Sequence, residues 1–314
     1  MKKKLSPLIL LLASVIWGAA FVAQKAASEL PPFTLIAVRS VFAVIFLIPV
    51  IALSDRLTKN GRRLFISTKP FVGITGRELI SGIICGVFLF AASALQQIGI
   101  ADTDTGKASF ITALYVVIVP VYALFFGKHS PITVWISVGL AMVGFYFLCL
   151  SGGFTLAVSD LIILLCAFVF AMQITAIDKS LEHSEPIRLS TVQFFTSAVL
   201  AVVFALIFEL PIQFDKIVKY LPELLFLGVG SSGVAYTCQI IGQKDTPAPV
   251  ATIVLSLESV FGALAAAIFL KERLSVMEYI GCAIVFLAVV LAELDLKAIF
   301  AGIKERRIDK REES

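Results

Sequence analysis

Apolar residues run along this chain in stretches of about 20, continuous enough to be apolar on every face and as long as a helix must be to cross a bilayer. Ten such stretches predict ten helices, at residues 5–27, 32–53, 78–100, 107–126, 132–150, 159–177, 189–208, 222–242, 248–270 and 275–294. The polar breaks between them are short, apart from residues 54–76 and the tail 295–314. The pattern therefore predicts an all-α polytopic membrane protein, with little chain left for a soluble domain or an extramembrane catalytic site.

The same pattern repeats. Residues 96–128 laid on 239–271 at a constant offset of 143 match at 11 of 33 positions, among them Gln96/Gln239, Gly99/Gly242, Asp102/Asp245, Thr103/Thr246, Phe126/Phe269 and Lys128/Lys271. Shared apolar composition does not supply matches of polar residues and glycine. Earlier in each half an offset of 154 pairs Ala13/Ala167, Lys25/Lys179, Pro32/Pro186, Leu35/Leu189 and Val38/Val192. Two five-helix halves follow, residues 1–150 and 151–294, with a basic tail at 295–314. Five is odd, so the second half enters the membrane from the side opposite to the first. Inverted repeats of this kind let two similar halves exchange inward-open and outward-open states around a site near the midplane. The alternative is that duplication records only the ancestry of a stable bundle.

Composition and charge agree with the pattern and add an orientation. The chain is 59% hydrophobic and 15% charged, with mean hydropathy +0.98, unlike a soluble domain of this length. With the N-terminus in the cytoplasm, nineteen Lys and Arg fall in inside segments and five in outside segments, so both termini are expected in the cytoplasm. The net charge of +4 is explained by this asymmetry and not by nucleic-acid binding. The first stretch is read as a spanning helix, since its apolar core is too long for a cleaved leader and no small-x-small site follows. Cys85, Cys149, Cys166, Cys238 and Cys282 lie within spans without metal-like spacing, and His129 and His183 are isolated. No metal or other cofactor is expected. A Walker-type loop is absent, which argues against ATP as direct energy source.

One residue conflicts with its surroundings. Glu258 lies mid-span in the ninth stretch, read as one unbroken helix, where a carboxylate costs about 2.5 to 3.5 kcal/mol or more to insert. Such a residue usually faces a cavity, and a carboxyl held there is cheapest protonated, which suits proton coupling. The plainer reading is a protonated structural Glu hydrogen-bonded to Gln239 or Ser256. The repeat equates Glu258 with Tyr115, so the halves meet there with different chemistry. Small residues on the Glu258 face, Ala251, Gly262 and Ala265, allow either close packing or an open cavity.

Weaker candidates surround this pair. Gln96 and Gln97 near one end of the third stretch, and Gln239 with Tyr236 near the opposite end of the eighth, either line the two mouths of a pathway or bridge helices. Arg39 either receives a substrate carboxylate or snorkels outward. Trp17, at mid-span, either stacks on a ligand or packs the core. Gly82 and Gly86 form a GxxxG pair read as packing.

Trp17-Gly18, Lys25, Arg39, Leu95-Gln96-Gln97 with Gly99 leading to Ala108, Pro120, and Leu257-Glu258 followed by Lys271-Glu272 and Gly281 together resemble the EamA-type transporters of the drug/metabolite transporter superfamily. The likeness runs from Leu5 to Leu294. It implies a ten-helix inverted-repeat carrier in a bacterial plasma membrane, moving amino acids, other metabolites or toxic compounds, often outward. Many relatives carry a proline after the Glu of the ninth helix. Ser259 stands there in this chain, which leaves open whether that helix bends.

The function expected is secondary transport of small organic molecules by alternating access. The candidate substrate-binding residues are Trp17, Arg39, Gln96, Tyr115, Tyr236, Gln239 and Glu258, with Glu258 also the proton carrier. An uncoupled facilitator or uptake carrier of the same fold is the near alternative. A membrane receptor or intramembrane enzyme is the distant one, disfavoured by short loops and a single deep carboxylate. The expected partners are a small-molecule substrate, the bilayer and protons, with no nucleic acid.

Overall fold

The computed structural model of the chain describes residues 5–59, 74–149, 157–269 and 275–293. Their order is α1 (Ser6–Ala26), α2 (Pro32–Lys59), α3 (Gly76–Asp102), α4 (Thr105–Ala113), α5 (Tyr115–Phe125), α6 (Ile132–Cys149), α7 (Val158–Ser180), α8 (Pro186–Phe208), α9 (Phe214–Lys219) and α10 (Leu221–Leu225). A π-helical segment (Phe226–Ala235), α11 (Tyr236–Gln243), α12 (Ala248–Leu255), α13 (Leu257–Phe269) and α14 (Val276–Glu293) complete it. Eight helical stretches are long and apolar enough to cross a membrane, and Ile132–Phe147 and Val276–Ala292 are shorter apolar helices. The fold is thus the expected ten-helix bundle of two inverted repeats.

Three expectations need correction or limits. The helix containing Arg39 continues to Lys59, past the predicted end at 53. The ninth stretch is not one unbroken helix, because α12 stops at Leu255 and α13 starts at Leu257. The basic residues Lys2, Lys3, Lys4, Arg62, Arg63, Lys69, Lys271 and Arg273, Glu272 beside them, and the tail 295–314 lie outside the described residues.

Packing follows the repeat. The main contacts cross between halves, and each has its mate under the five-helix shift. α3 against α7 is answered by the π-helical segment and α11 against α1, α3 against α8 by the π-helical segment against α2, and α1 against α13 by α5 against α7. α2 with α8, and α6 with α14, are paired with their own equivalents. Small residues permit these approaches. A Cβ at Gly82 would overlap Val192, and one at Gly86 would lie 2.6 Å from the Gln193 carbonyl, so the GxxxG pair is packing between α3 and α8. A Cβ at Gly18 would meet Phe261 and Gly262 at 2.5 to 2.7 Å, which brings α1 onto α13.

Polar residues concentrate at the two ends of the bundle. On the face that carries the start of α1, Ser6 donates to Asp245 at 3.4 Å, Ser81 meets His183 at 3.1 Å and Lys128 pairs with Asp178 at 2.9 Å. There Thr75 and Glu78 cap the start of α3 reciprocally, and the same Glu78 accepts from the Glu185 amide before α8. On the opposite face Glu209 accepts from the amides of Phe33 and Thr34, and Lys107 pairs with Asp160 at 2.6 Å. Glu29 there accepts from Lys219 at 3.0 Å, and that hydrogen bond holds its carboxyl below the ordinary value. Between the ends the lipid-facing surface is apolar, with Ile45, Phe125 and Leu206 among its exposed side chains.

Candidate functional site

Two of the spanning stretches break near their middles at related places. α4 gives way to α5 at Leu114, and α12 gives way to α13 at Ser256, one residue from the position the 143 offset predicts. At the second break the hydroxyls of Ser256 and Ser259 bond back to the carbonyls of Ile253 and Ser256 at 2.8 and 2.7 Å. Hydroxyl bonding to preceding carbonyls bends helices. The helix is therefore interrupted at Ser256 without a proline at position 259. Tyr115 and Glu258 stand in the first turns of the helices that follow the two breaks.

A third irregularity lies in the eighth stretch. The sequence Phe226–Ala235 contains three glycines, and its π-helical turns present the consecutive serines Ser231 and Ser232 to one partner. That partner is Arg39. Its Nε donates to Ser232 Oγ at 3.0 Å, its Nη2 to Ser231 Oγ at 3.1 Å and its Nη1 to Gln24 Oε1 at 3.3 Å. α2 reaches this position because Cβ atoms at Gly228 and Gly233 would collide with Phe42 and Phe46. Arg39 is 6% exposed, so it does not snorkel. No carboxylate among the described residues lies within ion-pair distance of it, and the guanidinium has five N–H groups to place.

These irregular segments surround one central cavity, lined by Trp17, Ala20, Phe21, Gln24, Arg39, Gln96, Thr112, Tyr115, Phe170, Gln173, Ile174, Ser231, Tyr236, Gln239 and Glu258. All seven residues singled out from the sequence stand on its wall. Trp17 and Tyr236 meet edge to face at 4.6 Å, and the Trp17 indole N–H donates to the Ser231 carbonyl at 3.4 Å. Gln96 donates to Thr112 Oγ1 at 3.3 Å. Glu258, 4% exposed, has Tyr115, Tyr236 and Cys166 as polar neighbours. The Tyr115 hydroxyl interacts with its carboxyl, while Glu258 Oε1 and Gln239 Oε1 make no hydrogen bond of good geometry among the described residues. Glu258 thus lacks the Gln239 and Ser256 bonds of the structural reading. Gly262, on the same helix, packs beside Ser109 of α4, so it serves close packing.

The sequence reading missed four polar residues of the wall: Gln24, Thr112, Gln173 and Ser231. Gln173 carried the signal that exposed Gln96, an amide inside an apolar run. Ser231 was signalled by the glycine-rich run around it. Nothing in the pattern distinguishes Thr112 from a hydroxyl bonded to its own helix.

The space free for a water-sized molecule in this cavity is about 30 Å³, room for a water or two and not for an organic solute. A second cavity, of about 530 Å³, opens on the face that carries the start of α1. The two are lined by successive turns of the same helices, with the Gln243 amide donating to the Ile174 carbonyl at 3.2 Å between them. α7 contributes Phe170, Gln173 and Ile174 to the centre and Thr175, Asp178 and Lys179 to the vestibule, and α11 contributes Gln239 to one and Gln243 to the other.

A membrane-spanning inverted-repeat bundle with a buried polar cavity at its centre and a larger cavity opening on one face has the architecture of a carrier. The EamA-like transporter family model matches residues 4–150 and again 157–294, and the chain belongs to that family. It is 29% identical over 299 residues to an uncharacterized transporter of Archaeoglobus fulgidus, covering 93% of this chain and 87% of that one. A second uncharacterized transporter of the same organism is 29% identical over 145 residues, 46% of this chain and 50% of its own length. A crystal structure superposes with a TM-score of 0.71 over 94% of this chain and 98% of its own, at 17% identity, a likeness of fold. The protein is accordingly a multi-pass membrane transporter.

Proposed function

We propose that this transporter carries small zwitterionic metabolites, amino acids or close relatives, out of the cell by alternating access, and that Glu258 couples the movement to protons. The observation that carries the reading is a guanidinium and a carboxyl on one buried wall. Arg39 is desolvated without a carboxylate, and Glu258, beside the Tyr115 phenol, keeps Oε1 free of any hydrogen bond of good geometry. A solute carboxylate completes the guanidinium in the planar, bidentate manner that Arg favours. A solute amine, or a proton when the site is empty, completes the carboxyl. Trp17, Tyr115 and Tyr236 give the apolar remainder a face to pack on, and Gln96 and Gln239 supply amides.

Alternating access is supported by the contrast between the two cavities. The centre is too small for a solute as it stands, and the breaks at Leu114 and Ser256 with the π-helical segment are where backbone can rearrange to enlarge it. With both termini in the cytoplasm of a cell bounded by this plasma membrane, the vestibule faces the cytoplasm. That is the side from which an exporter loads.

Purified protein in liposomes tests this directly. Counterflow of labelled amino acids is expected, with net flux rising when a proton gradient is imposed. Glu258→Gln should keep counterflow within about threefold and lose the response to the gradient, since it keeps the shape of the side chain and removes its titration. Equal gradient responses in the wild type and Glu258→Gln would falsify the coupling role. Flux without any gradient response in the wild type would make the protein an uncoupled facilitator.

A further inference from the structure

The two mouths of the pathway differ in the seat taken by one lysine at each. At the mouth opposite the vestibule, Lys25 of α1 donates to the carbonyls of Ile100, Ala101 and Thr103 at 3.0, 3.0 and 3.1 Å. These are carbonyls of the last turn of α3 and its cap, which an ammonium satisfies in both hydrogen bonding and charge. The contact ties α1 to α3 over Gln24 and Gln97, joined by the Gln97 amide donating to the Gln24 carbonyl at 3.3 Å. Phe21, Gln24, Gln97 and Ile100 are all buried, so this mouth is shut.

The repeat supplies the same parts at the other mouth in another arrangement. The equivalent of Lys25 is Lys179, and the equivalents of Ile100, Ala101 and Thr103 are Gln243, Lys244 and Thr246, the end of α11. All four line the open vestibule. Lys179 instead sits with its ammonium 3.1 Å from the ring centroid of Phe126, a cation–π seat. Phe126 has its own mate at the shut mouth, Phe269, whose exposed ring lies at the end of α13. Each mouth therefore holds one lysine and two seats for it, a helix end from the lysine's own half and a phenylalanine ring from the other half. One lysine occupies the first seat where the pathway is shut, and the other occupies the second where it is open.

We propose that Lys25 and Lys179 are paired latches that close opposite mouths. Each shuts its own side by capping the end of α3 or α11, and each rests on Phe269 or Phe126 when that side opens. The two exchange seats in turn. Their purpose rests on the transport reading, but the seats themselves do not.

The test reads the sidedness of the central cavity. A single reporter, Ala20→Cys, is placed on the cavity wall in a chain whose five native cysteines are replaced, and labelled with an impermeant maleimide in vesicles of each orientation. Lys25→Gln removes the latch of the mouth that is shut here. It is expected to raise the ratio of labelling from that side to labelling from the vestibule side about fivefold, the factor for loss of about one net hydrogen bond. Lys179→Gln is expected to lower the same ratio by a similar factor, and Lys25→Arg to leave it near the starting value. A merely structural role would not give opposite signs. Should the lysine variants fold poorly, the exposed rings give an independent version, in which Phe126→Leu raises the ratio and Phe269→Leu lowers it. Shifts in the same direction, or no shift, overturn the latches. Intact solute flux with unshifted labelling removes the latches alone, whereas opposite shifts in a protein that moves no solute keep the latches and remove the transport reading.

Discussion

Glu258 and Arg39 show how a single side chain in an apolar span reports a site. Each is expensive where it stands, and each keeps hydrogen-bonding capacity that the described residues do not fill. The resulting prediction is one of selectivity. Arg39→Lys keeps the charge but not the planar fork, so the KM for a carboxylated solute should rise by about 10-fold to 100-fold, the range of one to two charge-assisted hydrogen bonds. Transport of an amine lacking the carboxylate should change much less, which a paired uptake assay in liposomes measures. Comparable losses for both solutes would show that Arg39 supports the fold and does not select the solute. Trp17 and Tyr236 pack on one another and on the cavity at once, so the stacking and core readings of Trp17 describe the same placement.

At the scale of elements, departures from regular helix build the site. The π-helical turns between Phe226 and Ala235 bring two serines to Arg39, and glycines let α2 approach closely enough for that to happen. Gly228→Leu drives a side chain into Phe42, so it should destabilise the protein by about 1 to 3 kcal/mol. The loss is measurable as a lower thermal midpoint in detergent. A substitution at Gly106, whose Cβ would meet nothing within 4 Å, is the control expected to leave the midpoint in place. Outside the membrane, α9 is tethered to the α1–α2 loop by Lys219 and Glu29. Because the folded Glu29 carboxyl is held low, the tether is fully present above the ordinary carboxylate range and is lost only as pH falls through the lowered value. Amide exchange in α9 should therefore be flat from neutral pH down to the ordinary range, after correction for intrinsic rates, and rise below it. Glu29→Gln should remove that rise.

For the whole molecule the decisive property is the pseudo-twofold relation. It makes every inter-helix contact a statement about a second contact, and the places where mates differ are where the two ends of the pathway differ. Lys25 on carbonyls and Lys179 on a ring are such a place. Tyr115 opposite Glu258 is another, where a neutral phenol faces an acid across the axis. The free space is about 30 Å³ at the centre against 530 Å³ in the cavity on the face that carries the start of α1, so the two ends of the bundle are unequally filled.

The chain by itself determined the number of spans, their division into two inverted halves and the depth of Glu258. Each of these follows from hydropathy, parity and offset, properties of order along one dimension. It also marked seven of the fifteen residues that line the cavity, because a polar or aromatic group in an aliphatic run is visible without coordinates. Tertiary structure alone decided that they share one wall, that the ninth stretch is interrupted at Ser256 without a proline, that Arg39 turns inward onto the serines of a π-helical segment, and that Lys25 rests on carbonyls while Lys179 rests on a ring beside a cavity. The physical reason is that these depend on how closely helices approach and which carbonyls are left unsatisfied where they end. Neither quantity is local in sequence.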